Sequence, residues 1–292
     1  MSYPYFPYEK EPRLVSKKNI DAQIWPIDED QVLIKARVIC LHNPGEDILL
    51  FRRCIDVLTS YGYEVVYYRT NDNAEAHVCT IESIMDEIDT VVSLCHEDIA
   101  NSPHPQTPIH IMGHFISGAE ALLYGIQGSQ REKVSTIVGI NPLVQPAELL
   151  MKQSSSLKLR WRAKMNPNAI VDLGTDLSLF TKDTPWLEFL RSESYSFTKL
   201  SNLQLKMIQD ISHLLLNKKY TSQFTVANVL IIQSLEDPLT CASATHQFIN
   251  NVAGAKQAYL LEYTKGMNNL FLEREKLFQR VITDLVSWLK EN

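Results

Sequence analysis

Glycine is scarce in this 292-residue sequence, where it occurs only ten times. None of these glycines is followed two residues later by serine or cysteine. A Gly-x-Ser or Gly-x-Cys step forms the sharp turn that presents the nucleophile of many hydrolases, because the strained centre of that turn needs a small neighbour. The sequence therefore excludes a nucleophile turn of the usual form.

Cysteine and long apolar runs are scarce too. The five cysteines are an odd number, lie far apart and include no Cys-x-x-Cys pair, a pattern typical of reduced thiols. No uncharged apolar stretch reaches the roughly 18 residues that a membrane span requires. The first residues lack a basic region followed by an apolar run, so we expect no signal peptide. These absences predict a soluble, cytoplasmic protein that has no transmembrane segment, metal or cofactor.

An excess of basic residues is also missing, since the formal net charge is -6. Nucleic-acid binding depends on a basic face that neutralises phosphates, so we expect no nucleic-acid partner. The densest basic group is Arg160, Arg162 and Lys164, which we interpret as a solvated helix face. A hydrophobic content of 45% and a length of 292 residues predict one domain with a sizeable core, 1–292.

Short apolar strands alternate with amphipathic helices along most of the chain. This alternation predicts an α/β fold with a doubly wound, mostly parallel sheet. The segment 143–220 breaks the rhythm and predicts an inserted helical cap over the carboxyl edge of the sheet, or a helical excursion without a ligand role. The predicted strands are 32–41, 63–68, 109–112, 134–141, 229–232 and 257–262, and the predicted helices are 50–61, 81–99, 118–125, 242–252 and 273–290.

The strand 109–112 leads into a sharp turn with Phe115 at its centre. Gly113, two residues earlier, satisfies the need for a small neighbour. Phenylalanine has no atom that can attack a carbonyl, so the turn keeps its shape and loses its chemistry.

Six short motifs follow one another along the chain. They are His42-Asn43-Pro44-Gly45-Glu46, Gly113-His114-Phe115-Ile116-Ser117-Gly118, Asn141-Pro142-Leu143, 172–177, 186–190 and Gln233-Ser234-Leu235-Glu236-Asp237. In this order and spacing they resemble the motifs of the monoacylglycerol lipases of the α/β-hydrolase superfamily, most of all the fungal members. The resemblance implies an α/β-hydrolase fold, a lipophilic pocket under a cap, and descent from enzymes with a serine–aspartate–histidine triad.

The resemblance places the three triad positions at Phe115, Asp237 and Met267. Only the acid, Asp237, keeps the family's residue type, and no histidine follows His246 in the chain. Methionine cannot act as a base, so the remaining acid has no imidazole to orient. Ser117 lies in the first turn of the next helix, where we expect it to cap or pack, and we interpret His246 as structural.

The oxyanion loop is altered as well. Its first glycine is replaced by Asn43, and the next residue is Pro44, which has no N–H to donate. Asparagine tolerates the left-handed conformation, so we expect the loop to keep its course. We interpret His42 and His114 as framework residues, with His114 buried and satisfied.

Three functions remain open on the sequence alone. The first is a pseudoenzyme that acts as a scaffold or subunit with a protein partner. The second is a non-catalytic binder of a lipid or other apolar ligand in a pocket that would include Phe115, Ile116, Met267 and Leu143. The third is a lipid ester hydrolase with an atypical catalytic set. Peripheral contact with membranes or lipid droplets also stays open, through an apolar edge of Trp161, Trp186, Leu187 and Leu190, although we expect these side chains to be packed inside the cap.

Overall fold

An eight-stranded sheet forms the centre of the computed structural model, which describes residues 3–27, 32–70, 80–151, 156–174, 176–195, 197 and 199–292. Its strands are β1 (Arg13–Lys17), β2 (Ile20–Trp25), β3 (Ala36–Cys40), β4 (Tyr63–Thr70), β5 (Ile109–His114), β6 (Val134–Ile140), β9 (Asn228–Ser234) and β10 (Gln257–Tyr263). A separate antiparallel pair comprises β7 (Ile170–Asp172) and β8 (Lys199–Ser201).

Helices connect these strands. Helix α1 packs with α10, and α2 packs with α3. The helices are α1 (Arg52–Ser60), α2 (Ile81–Ala100), α3 (Phe115–Gln127), α4 (Glu148–Met151), α5 (Ser156–Met165), α6 (Thr184–Ser192), α7 (Asn202–Leu216), α8 (Lys218–Thr221), α9 (Ala242–Asn251) and α10 (Glu275–Glu291).

The sheet order is β1-β2-β4-β3-β5-β6-β9-β10. All neighbours from β4 to β10 are parallel, whereas β1 and β2 form an antiparallel extension at one edge. Strands covered on both faces require apolar residues throughout, and every residue of β3 and β5 is buried. The predicted mostly parallel α/β fold is confirmed, and the two edge strands are an addition that the sequence pattern did not predict.

Several predicted boundaries were wrong by a few residues. Strand β3 begins at Ala36, where its pairing with β4 starts, rather than at residue 32. Helix α3 begins at Phe115, because the turn passes directly into the helix. Helix α10 begins at Glu275, since 270–272 forms a 3-10 turn and Glu273 after it is extended.

The strand order reverses beside β3, which has β4 on one side and β5 on the other. Loops that leave the carboxyl ends of parallel strands meet at such a reversal, and ligands of open α/β sheets bind there. The loop 41–47 after β3 and the turn after β5 therefore lie together. The order of the strands brings the first two motifs of the sequence into one site.

The inserted segment 143–220 lies between β6 and β9 and is mostly helical. Its helix α7 packs on α3 and on α5, which places the segment over the helix that begins at Phe115. The short β7–β8 pair was not predicted. Residues 152–155, 175, 196 and 198 of this segment lie outside the described residues.

Candidate functional site

The turn at Phe115 keeps the backbone of a nucleophile elbow. Phe115 has a φ of 54°, a left-handed conformation that non-glycine residues rarely adopt. A Cβ atom added to Gly113 would lie 2.4 Å from the carbonyl oxygen of Ser117, so only glycine fits there. The Phe115 ring is 3% exposed and meets Phe180 of the inserted segment edge to face, with ring centroids 6.0 Å apart. An aromatic side chain therefore fills the place where a nucleophile would stand.

The acid Asp237 is buried and accepts three hydrogen bonds. Its donors are the Thr240 hydroxyl at 2.6 Å, the Leu239 backbone N–H at 2.9 Å and the Asn268 amide at 3.0 Å. Burial raises the pKa of Asp237, although these hydrogen bonds act in the opposite direction. The carboxyl group is thus satisfied without an imidazole.

The side chain that meets Asp237 belongs to Asn268, one residue beyond the predicted position. Met267 is buried, and its backbone N–H donates to Glu273 Oε1 at 2.7 Å. Asn141 Nδ2 donates to the backbone oxygens of Met267 at 3.1 Å and Asn268 at 2.8 Å, which holds this loop against the end of β6. The sequence alone does not identify Asn268 as the partner of Asp237, because this contact depends on the path of the loop.

In the loop after β3, Asn43 does not take the left-handed conformation that asparagine tolerates. Among the described residues, the non-glycine positions with positive φ are Lys18, Phe115, Asn141 and Ser194. Gly45 provides the left-handed position instead, with a φ of 80°. The Asn43 N–H donates to Glu46 Oε2 at 2.9 Å, and the Glu46 N–H donates to the Asn43 oxygen at 3.1 Å. The N–H groups of Asn43 and Glu46 are thus both engaged inside the loop. Pro44, between them, has no N–H to donate.

A buried polar cluster of Asn43, Glu46, His114 and Ser117 joins this loop to the elbow. His114 Nε2 lies 2.7 Å from Glu46 Oε1, and Asn43 Nδ2 donates to Glu46 Oε2 at 2.9 Å. The Ser117 N–H donates to Asn43 Oδ1 at 2.9 Å. The burial of Glu46 alone would raise its pKa, but the facing His114 ring and the Asn43 donors outweigh that effect and lower it.

The buried cluster contains a serine, a histidine and a glutamate, but it does not form a catalytic set. The Ser117 side chain is 0% exposed, and its hydroxyl donates to the backbone oxygens of Leu41 and His114. The prediction that Ser117 caps or packs is confirmed. His114 is buried as predicted but only partly satisfied, because its Nδ1 has no partner in the described part of the chain. His246 Nε2 pairs with Glu262 at 2.8 Å on the surface, as expected of a structural histidine.

His42 packs between aromatic rings beside this cluster. Its ring centroid lies 5.3 Å from that of Tyr67 and 5.6 Å from that of Tyr68. Burial lowers the pKa of His42, so the ring stays neutral over a wider pH range. A neutral ring packed against aromatics agrees with the predicted framework role.

An apolar cavity lies between the elbow and the inserted segment. Its free volume is about 40 Å³, far below the roughly 300–1,000 Å³ typical of ligand pockets, so a bound ligand would require the walls to move apart. The predicted lining residues Phe115, Ile116 and Leu143 belong to its wall, whereas Met267 does not. That part of the prediction was wrong, because the Met267 backbone is tied to Glu273 and Asn141. The remaining lining residues are Pro146, Leu150, Leu173, Phe197, Leu200, Leu205, Ile208 and Gln209.

The four apolar residues considered for a surface edge are mostly packed within the inserted segment, as expected. Trp186 and Leu190 are buried and Leu187 is half-buried, whereas Trp161 is 65% exposed. Met165 and Ile170, at 64% and 63% exposure, are further exposed apolar residues close to Trp161 in the sequence. In the residues that the structure describes, no helix is long and apolar enough to cross a membrane. Nor does that part of the chain contain a group of three or more potential metal ligands.

Comparison with known proteins gives consistent relationships. A family model described as serine aminopeptidase, S33, matches residues 33–275. Monoglyceride lipase from Saccharomyces cerevisiae is 24% identical over 99% of this chain and 97% of its own length, and a putative monoglyceride lipase from Schizosaccharomyces pombe is 22% identical over 88% and 68%.

Solved structures show the same fold. A soluble variant of the Saccharomyces cerevisiae monoglyceride lipase, in complex with a substrate analogue, matches with a TM-score of 0.86 at 22% identity over 100% of this chain and 99% of that one. The monoacylglycerol lipase of Paleococcus ferrophilus matches with a TM-score of 0.74 at 14% identity over 95% and 98%. The α/β-hydrolase fold and the resemblance to monoglyceride lipases are thereby confirmed.

Proposed function

The chain belongs to the serine aminopeptidase S33 family, and from this premise we propose that it is a monoglyceride-lipase-like protein without hydrolase activity. The observation that carries this proposal is the buried Phe115 ring at the tip of the elbow, packed against Phe180. It leaves no nucleophile at the position where the fold presents one.

The other parts of the centre support the same proposal. Asn268 faces Asp237 where a base would be needed, and an amide cannot take a proton from a nucleophile. Loss of one triad member commonly costs about 10⁴ in rate, and the members act as a unit. The loop after β3 also engages donors internally that an oxyanion hole would require free.

Binding without cleavage is the role that the apolar cavity favours. Gln209 is the one lining side chain that carries a polar group, so the walls suit an alkyl or acyl chain. Phe115, Ile116 and Leu143 would contact such a chain at the elbow. We propose a lipid or another apolar ligand, held non-covalently under the inserted segment.

Protein scaffolding is the second candidate, and the exposed residues Trp161, Met165 and Ile170 favour it. Exposed apolar residues that group together mark contact surfaces for proteins or membranes. This candidate needs no open cavity, because the partner would bind outside it.

Activity-based labelling tests the loss of hydrolysis. We expect a fluorophosphonate probe to label no serine of this protein, and monoacylglycerol to be hydrolysed no faster than in buffer. The yeast monoglyceride lipase, treated in parallel, serves as the positive control. Specific labelling of any serine in the native protein would overturn the proposal.

Displacement of a fluorescent long-chain fatty acid tests the binding role. We expect saturable binding that Ile208→Phe weakens about tenfold by narrowing the cavity, since each 1.4 kcal/mol of lost contact is a factor of ten. Leu14→Phe, at a side chain that is 73% exposed on β1, is the matched control. Equal binding by both variants would reject the cavity as the site. A protein that then co-purifies, and is lost with Trp161→Ser, would support the scaffold role instead.

A further inference from the structure

A second concavity lies beside the loop that joins β10 to α10, and we call it the basic groove. It opens to solvent and has a volume of about 530 Å³. Five of its side chains are basic and two are acidic, although the whole chain has a net charge of -6. The lining residues are Lys182, Glu236, Tyr263, Thr264, Lys265, Gly266, Glu273, Arg274, Lys276, Leu277 and Arg280.

Most of the positive charge in the basic groove is not neutralised by the protein. Lys182 pairs with Glu236 at 3.1 Å. Within the described part of the chain, the other four basic residues make no ion pair within 4.0 Å. These four residues are Lys265, Arg274, Lys276 and Arg280.

Nearby carboxylates are engaged with other groups. Buried Glu273 accepts the Met267 N–H, Glu275 pairs with Arg53, and Asp284 accepts the Tyr263 hydroxyl. None of these three carboxylates pairs with the four cations. Glu236 and Glu273 in the lining keep their own charge, so five basic and two acidic side chains leave the groove with a formal excess of three positive charges. A concave surface with uncompensated charge of one sign attracts ligands of the other sign.

The groove is built on a fixed framework. The Ser234 hydroxyl donates to the Gly266 oxygen at 2.6 Å, and Gly266 turns the loop with a φ of 122°. Tyr263 is buried and Leu277 half-buried, which gives the groove an apolar floor, and the Arg280 guanidinium lies 5.4 Å from the centre of the Tyr263 ring. Helix α10 starts here, and its N-cap residue Arg274 makes no side-chain capping bond, so the positive end of the helix adds to the field.

We propose that the basic groove binds a small phosphate-bearing molecule. The phosphate would lie among Lys265, Arg274, Lys276 and Arg280, with the rest of the molecule against Tyr263 and Leu277. The cations come from a loop and from two turns of a helix and surround one concavity, so a compact, multiply charged anion can meet several at once. The site is separate from the apolar cavity and does not depend on the function proposed above.

Calorimetric titration of the full chain with glycerol 3-phosphate tests this site. We expect saturable binding that the double variant Lys276→Gln, Arg280→Gln weakens about tenfold, because charge-assisted hydrogen bonds are lost at a partly screened surface. The matched control is Arg160→Gln, Lys164→Gln, which removes one arginine and one lysine four residues apart from exposed positions of α5. The control should bind within about twofold of the native protein, since each lost charge then acts only at long range.

Flotation with phosphatidylcholine vesicles, with and without phosphatidate, identifies the source of the phosphate. Phosphatidate-dependent flotation that the groove variant loses and the control keeps would assign a lipid headgroup. Binding of glycerol 3-phosphate without flotation would assign a soluble phosphate ester. The proposal is overturned if neither probe binds, or if both double variants weaken binding equally.

Discussion

The elbow side of the candidate site, at Phe115, and its acid side, at Asp237, differ in the chemistry and the contacts of their side chains. At the elbow, an aromatic ring replaces the reactive group, and a buried polar cluster behind it ties the loop after β3 to α3. At the acid, the buried carboxyl group of Asp237 accepts a hydrogen bond from the amide of Asn268. The elbow therefore presents an apolar side chain at its tip, whereas the acid side presents a hydrogen-bonded carboxyl group.

This difference shows that the buried polar groups on each side form their hydrogen bonds with neighbours on the same side. A working triad satisfies its buried polar atoms across the site, from hydroxyl to imidazole to carboxylate. Here the His114–Glu46 pair and the Asp237–Asn268 pair each form on their own side of the site, with His114 Nδ1 and Asn268 Oδ1 left without a partner in the described residues. We therefore expect changes on the elbow side to affect stability strongly and changes at the acid to affect it little.

The largest expected effect comes from Glu46→Ala. It removes the acceptor of the Asn43 N–H and Asn43 Nδ2 and leaves His114 without its partner, all in a buried setting. Breaking a buried pair in this way costs about 3–5 kcal/mol of the free energy of unfolding. Urea denaturation monitored by tryptophan fluorescence measures this loss.

Glu46→Gln is the matched control, because it keeps the shape and one carbonyl acceptor. It should cost clearly less than Glu46→Ala. The lowered pKa of Glu46 means that its ionised form stabilises the fold, and this contribution is lost as the pH falls through the folded pKa, below the ordinary value of 4.5. A Glu46→Ala variant within 1 kcal/mol of the native protein would contradict a stabilising role of the cluster.

A smaller effect is expected at Phe115. Phe115→Ala removes a buried ring that packs on Phe180 and should cost about 3 kcal/mol, the low end for such changes, because the site already borders a cavity. Phe115→Gly should be less damaging than alanine by about 1 kcal/mol, since a φ of 54° strains every residue with a Cβ atom. This reverses the usual order of the two residues in a helix.

Denaturation of both Phe115 variants under identical conditions decides the order. If alanine proves the more stable of the two, the left-handed elbow has relaxed in solution. In that case the turn at Phe115 would not keep the backbone conformation of a nucleophile elbow.

The fold could be predicted from the sequence because its signals are local. The continuous apolar run 229–232 identifies a buried parallel strand, and the spacing in 81–99 identifies a helix. The edge strands β1 and β2 carry weaker patterns, with only one face of β2 buried as regularly as a core strand. The β7–β8 pair is three residues long in each strand, too short for a periodic signal.

The candidate site could be predicted only where it depends on residue type. Phe115 and the missing histidine follow from the letters alone. The partner of Asp237 depends on how the loop 264–269 turns, and that turn is set by Gly266 and by bonds from Asn141, 126 residues away from Met267. Four of the five basic residues of the groove lie within 265–280, but Glu273 and Glu275 between them mask the excess of positive charge in the sequence, and only the fold brings Lys182 to the same concavity.

The smallest expected effect separates the two sides most sharply, and it comes from Asp237→Asn. The new side chain keeps one carbonyl acceptor, and its amide can donate to Asn268 Oδ1, which has no hydrogen-bond partner in the described part of the chain. Because burial raises the pKa of Asp237, the ionised form is the less favourable one in the folded state. Its contribution is therefore fully favourable below the ordinary pKa of 3.8 and is lost as the pH rises through the folded pKa.

At neutral pH we expect Asp237→Asn to change the free energy of unfolding by no more than about 1 kcal/mol, with the variant equal to or above the native protein in stability. On acidification the native protein should gain relative to the variant as its carboxyl group takes up a proton. Chemical denaturation at a series of pH values measures both effects. A loss of several kcal/mol at neutral pH would mean that the negative charge of Asp237 stabilises the groups around it, as it does in a complete triad. The hydrogen bonds on the acid side would then not account for its stability by themselves.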